Sequence, residues 1–124
     1  MIGKRIIIAG LLAPWLLLLG PITGRADGGF LAGVEDLPLM PGLREIPEET
    51  LIYDKLDGRL VQAIASGESD LAALWRFYNE TLPQLGWRRL ATGHFVRDGE
   101  GLRITVEKND AMLTVRFAIA PGTE

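Results

Sequence analysis

The stretch SDLAALWRFYNETLPQLGW, Ser69 to Trp87, decides the fold, because the hydrophobic period changes inside it. Leu71, Leu74, Trp75, Tyr78 and Leu82 recur at spacings of three and four, so they share one stripe of a helix. Ala72, Arg76, Asn79 and Glu80 fall on the opposite side, and Phe77 borders the stripe. Ser69 offers an oxygen to the free amides of the first turn, and Asp70 complements the positive end of the helix dipole. Pro83 removes a donor and disfavours helical geometry at Leu82, so the helix is expected to stop there. Gly86 then permits a reversal, and Trp87 starts a strand running back beneath the helix. A helix from Asp70 to Leu82 spans ~20 Å, as does a strand of six or seven residues, so the break falls where the chain has to turn.

Downstream the period falls to two. GWRRL and HFVRD read as short strands, followed by GLRITVEK with Leu102, Ile104 and Val106 on one face. MLTVRFAIA places Leu113, Val115, Phe117 and Ile119 on one face, and the DGEG and NDA connections carry tight-turn residues. A sheet with one apolar and one polar face needs a single covering layer, which the aromatic helix supplies. Upstream, LIYDK (51–55) and RLVQAIAS (59–66) flank the turn LDG and read as a further hairpin. The expected fold is therefore α+β: one amphipathic helix on an antiparallel sheet of about four to six strands, in the order hairpin, helix, meander. Its expected core is Leu71, Leu74, Trp75, Tyr78, Leu82, Trp87, Ile104, Val106, Val115 and Phe117. Truncating Trp75 to alanine is expected to cost about 3–5 kcal/mol.

Residues 27–50 hold three prolines and four glycines without sustained periodicity. They read as a flexible linker over 27–36 and an extended arm from Leu37, with one domain over 37–124. Residues 1–26 have the three regions of a secretory signal peptide: Lys4 and Arg5, the apolar run Ile6 to Gly20, and a small-residue tail with cleavage expected after Ala26. A retained anchor over residues 6–22 is the alternative, although 15 helical residues reach only ~22 Å against a hydrocarbon core of ~30 Å. No cysteine is present for lipidation or disulfides, which suits a bacterial periplasm.

After cleavage, ten basic residues stand against sixteen acidic ones, a net charge of −6. This argues against nucleic acid and anionic lipid as general partners. The charge is uneven, −7 over Asp27–Asp70 and +1 over Leu71–Glu124. An acidic solvated segment explains that; a docking face for a basic partner is the sharper reading.

The strings GRLVQAIASG, FYNETLPQLGW, GEGLRITVEK and LTVRFAIAP together resemble small exported bacterial domains of unknown function, over roughly Pro38 to Pro121. The resemblance implies a helix-over-sheet domain and location outside the cytoplasm; it brings no activity and no catalytic residue.

The inventory of reactive groups points to no enzyme. His94 is the sole histidine and lacks a nucleophile context. DKLDG (54–58) lacks the ligand spacing of a calcium loop, and DGEG lies between strands rather than before a helix. Glu45, Glu48 and Glu49 sit in a proline-flanked exposed segment, where solvated charge is the expectation, and Arg88 and Arg89 point to opposite faces. No cofactor and no metal are expected. The leading expectation is a periplasmic accessory or interaction module that binds a periplasmic or membrane protein through a sheet edge, the acidic arm, or both. A small carrier holding an apolar ligand beneath Trp75 and Tyr78 is the alternative.

Overall fold

The computed structural model describes residues 29–122, so the expected signal peptide and its cleavage site lie outside the described residues. Nine strands and one α-helix follow in order: β1 Phe30–Leu31, β2 Val34–Pro38, β3 Arg44–Glu45, β4 Leu51–Lys55, β5 Gly58–Glu68, α1 Leu71–Thr81, β6 Arg88–Ala91, β7 His94–Arg97, β8 Glu100–Asn109 and β9 Met112–Pro121. Seven strands form one sheet in the order β3-β5-β9-β8-β7-β6, with β4 also on β5; β1 and β2 form a separate pair. Every pairing is antiparallel. The fold is thus α+β with a helix packed on an antiparallel sheet, and it has more strands than the four to six expected.

The period-two reading has its physical basis in the sheet's inner face. Val61, Ala63 and Ala65 of β5, Leu113, Val115, Phe117 and Ile119 of β9, Leu102 and Ile104 of β8, and Phe95 of β7 are all buried. The turn between β7 and β8 holds Asp98 and Gly99 both at positive φ (49° and 80°), closed by the pair Arg97 and Glu100. This is the hairpin geometry whose twist matches that of its strands.

The helix differs from its expected details at both ends. Asp70, not Ser69, is its N-cap, accepting from the Ala73 amide at 3.1 Å. At the other end Leu82 keeps helical dihedrals and a 3-10 turn covers Leu82–Leu85. Pro83 sits at the start of this turn, where its missing N–H costs nothing. Gly86 at φ 96° ends it, with Trp87 N–H donating to Leu82 O. Among the expected core residues, Leu74, Tyr78, Leu82, Trp87, Ile104, Val115 and Phe117 are buried, whereas Leu71, Trp75 and Val106 are half-buried. Trp75 therefore carries less of the core than its size suggests.

The largest departure is at the N-terminal side. Residues 30–36, expected to belong to a linker, are built into the fold: Leu31 and Val34 are buried on either side of a turn with Gly33 at φ 75°. The arm that follows buries Leu37, Met40 and Leu43. It therefore shares the covering layer with the helix. Tyr78 joins the two. Its ring is fully buried with an edge against Phe117, its hydroxyl donates to Pro38 O at 2.8 Å, and it accepts from the Met40 amide at 3.3 Å. Burial raises its pKa, with the Met40 hydrogen bond opposing. Tyr78→Phe leaves both backbone groups without that partner and should cost about 1–3 kcal/mol in urea denaturation. A stability equal to the native chain's would show that the arm is held by its apolar side chains alone.

Candidate functional site

Two clusters of groups stand out on this frame, and they do different work. The first is an ion-pair network. Asp36 on β2 accepts from Arg59 on β5 at 3.0 Å and from Arg97 on β7. Arg59 also meets Glu100 on β8 through two hydrogen bonds of 2.8 and 3.0 Å. Arg97 lies 4.4 Å over the ring of Trp87 and donates to Leu85 O, while the Trp87 indole N–H donates to Asp36 O at 3.2 Å. The network thus fastens the arm to three strands and to the chain after the helix.

Burial pushes the Asp36 carboxyl up, but the hydrogen bonds and charges of Arg97 and Arg59 outweigh it and leave its pKa below the ordinary value. The bonds to Glu100 and Asp36 raise that of Arg59. A carboxylate with a depressed native pKa contributes stability that is present above its unfolded pKa, ~3.9, and is lost as pH falls through the native value. Acid unfolding should therefore have a component below about pH 4 that Asp36→Asn removes. An unchanged acid limb in that variant would assign the acid sensitivity to other carboxylates.

An open cleft of about 510 Å³ borders the network, lined by Gly33, Glu35, Asp36, Arg59, Leu85 and Arg97. Asp36 Oδ1 and Arg97 Nε make no hydrogen bond there. The two guanidiniums are matched by Asp36 and Glu100, and Glu35 adds a further negative charge, so the cleft offers no surplus positive charge for an anion. No grouping of three or more metal-ligating side chains occurs among the described residues.

The second cluster is β4. All five of its residues are exposed, with Leu51 at 50%, Ile52 at 44% and Tyr53 at 56%, and Leu56 in the following turn is fully exposed. Among the described residues this apolar strand lies on the margin of a sheet and pairs with β5 alone. Its pairing with β5 runs Leu51↔Gln62, Ile52↔Val61, Tyr53↔Leu60, Asp54↔Arg59 and Lys55↔Gly58. Leu51 and Tyr53 lie on the outer face, where with Leu60, Ala118 and Ala120 they line an apolar groove of about 200 Å³.

The residues weighed from sequence are scattered over this surface. Asp54 and Asp57 belong to the β4–β5 hairpin, and Glu48 and Glu49 to a 3-10 turn before it. Glu45 is engaged, accepting from the Ala32 amide at 2.8 Å and from the Thr50 hydroxyl at 2.6 Å. His94 is half-buried at the start of β7, its Nε2 without a hydrogen bond, and Arg88 and Arg89 lie on β6 opposite Val96 and Phe95. The network of Asp36, Arg59, Arg97 and Glu100 had no local signal, since its members come from four separate strands. Among the described residues no helix is long and apolar enough to cross a membrane.

No known family, no curated protein and no solved structure matches the chain.

Proposed function

We propose that this chain is a small exported accessory domain that binds another protein chain by accepting a strand along β4. The observation that carries the reading is that Leu51, Ile52 and Tyr53 are exposed on β4, which among the described residues has a strand neighbour on one side only. Added strands bind by main-chain hydrogen bonds and are selected through alternate side chains, and β4 offers both. Export is inferred from residues 1–26, and the likeness to small exported bacterial domains belongs to the same proposal. An anchored form, held in the membrane by residues 6–22, would present the same edge.

Two alternatives receive less support. The acidic arm is a poorer docking element because Asp36 and Glu45 are already engaged inside the fold. A carrier needs space beneath Tyr78, where the ring is fully buried against Phe117. The reading is of a binding module without a cofactor, and it assigns no catalysis.

The test is a photo-crosslinking residue placed in living cells at Tyr53 or, as control, at Thr105 on the polar face of β8. A discrete protein adduct from position 53 and none from 105 is the expected result. Equal or absent adducts at both positions would remove β4 as the binding element. Sequencing the N-terminus of the same sample reads export directly: a chain beginning near Asp27 supports it, and an intact Met1 points to the anchored form.

A further inference from the structure

Among the described residues, β3, β4 and β6 are the strands of the seven-stranded sheet paired with a single neighbour, and they treat exposure differently. β6 is four residues long, carries Arg88 and Arg89, and has an irregular register between Arg89 and Ala91. β3 has only two residues. Charge, irregularity and shortness are the usual protections of an open edge. β4 has five residues in regular register with β5, no proline, and charges only at Asp54 and Lys55. Its exposed side chains are otherwise apolar. An edge of this kind is normally covered.

The hairpin geometry says which backbone groups await a partner. Lys55 and Gly58 close a two-residue turn, so they form a hydrogen-bonded pair. Bonded and non-bonded pairs alternate along an antiparallel ladder, which makes Tyr53↔Leu60 and Leu51↔Gln62 the next bonded pairs. The N–H and C=O groups of Ile52 and Asp54 consequently point away from β5. The Thr50 amide is already used, donating to Pro47 O at 3.0 Å.

Resting on the reading of β4 as a strand acceptor, we propose that its partner is a second copy of this chain, with the two β4 strands antiparallel about a twofold axis at Tyr53. In this register Ile52 of each copy exchanges both its backbone bonds with Asp54 of the other. Every backbone group left open at Ile52 and Asp54 is then used. Tyr53 faces its own copy across the axis, Leu51 lies beside the stem of Lys55, and no like charges stand opposite each other. Moving the axis to Ile52 would oppose Asp54 to Thr50, whose amide is taken. Moving it to Asp54 would set that carboxylate against its own copy. Charge and backbone bonding thus select one register out of three. The result is a continuous sheet through both copies, with Leu51 and Tyr53 of each forming one apolar strip on its outer face.

The chain contains no cysteine, so single substitutions report on the register without interference. Facing residues of a non-bonded antiparallel pair have Cα atoms ~4.5 Å apart, within disulfide range. Under mild oxidation the Tyr53→Cys protein should become a covalent dimer. Leu51→Cys should not, because the two copies of residue 51 stand four positions apart, ~13 Å. Sedimentation of the unsubstituted chain should show a dimer, and Ile52→Pro, which deletes an outward N–H on an edge, should weaken association at least tenfold. Cross-linking through Leu51→Cys instead of Tyr53→Cys overturns the register. A monomer up to ~1 mM overturns self-pairing. Hydrogen exchange of that monomer then separates the two readings: fast Ile52 and Asp54 amides leave the edge open to a foreign strand, whereas protected ones remove both.

Discussion

Gly67→Ala is expected to be among the most damaging single changes in the chain, although it adds only one methyl group. Gly67 lies on the inner face of β5, in the series Val61, Ala63, Ala65, Gly67. A Cβ there would press into the carbonyl oxygen of Gly42, with the Gly42 carbonyl carbon and Leu43 Cα each 3.1 Å away. These are backbone atoms of the arm, and no flexible side chain can yield. Overpacking typically costs 1–3 kcal/mol, and here the upper end or more is expected, about 3 kcal/mol. For a domain of this size that lowers the melting temperature by roughly 12–24 °C. A melting temperature within a few degrees of the native value would mean that the arm shifts away at little cost. Protease digestion would then reveal the displaced arm as an early cleavage.

Trp87→Ala should cost a similar or larger amount, about 3–5 kcal/mol, for a different reason. The indole is 1% exposed and is among the largest fully buried side chains. Its removal opens a cavity, takes away the surface on which Arg97 stacks, and strips the Asp36 carbonyl of its indole donor. Trp87→Phe separates these contributions. It keeps most of the apolar contact and loses the hydrogen bond, so about 1–2 kcal/mol is expected. If both variants lose equally, the hydrogen bond carries the whole effect; if the phenylalanine variant matches the native chain, packing does. Denaturant titration with an unchanged slope would confirm that the comparison concerns stability alone.

How much of this was readable beforehand depends on distance along the chain. The helix and the C-terminal hairpins follow periods of 3.6 and 2 over neighbouring residues, so their existence is legible from Leu71 to Pro121. The β4–β5 hairpin is legible from its turn, which the structure closes at Lys55 and Gly58. The first hairpin is not. Its buried residues Leu31, Val34 and Leu37 are spaced by three, and the register shifts between Phe30 and Leu31, so no alternation survives. Glycine and proline in the same stretch then mimic a linker. Small residues on β5 do carry a sequence signal, because Ala63, Ala65 and Gly67 on one face mark a strand that another backbone must approach closely.

The candidate edge was legible only in part. LIYDK reads as a strand, but its exposure depends on where the sheet ends, and strand order is not a local property. The sequence places the apolar residues; the structure shows that, among the described residues, no strand pairs with β4 on the side away from β5, although the Ile52 side chain lies near the turn at Gly33. The ion-pair network lay beyond reach for the same reason. Asp36 and Arg97 are 61 positions apart, and nothing near either residue announces the other.

That separation also sets an order of events while the chain is being made. Synthesis runs from the N-terminus, so Leu31, Val34 and Leu37 emerge before β7 and β8, whose Arg97 and Glu100 complete the clamp on the arm. The most sequence-distant contacts close last, since their loop entropy must be met before they contribute. During that interval the arm has only part of its native seat: β5 and Tyr78 are present, but Arg97 and Glu100 are not. The protein is most vulnerable to misassociation before its final two strands exist, and a truncation that removes β8 and β9 should leave a chain that aggregates rather than a smaller folded one.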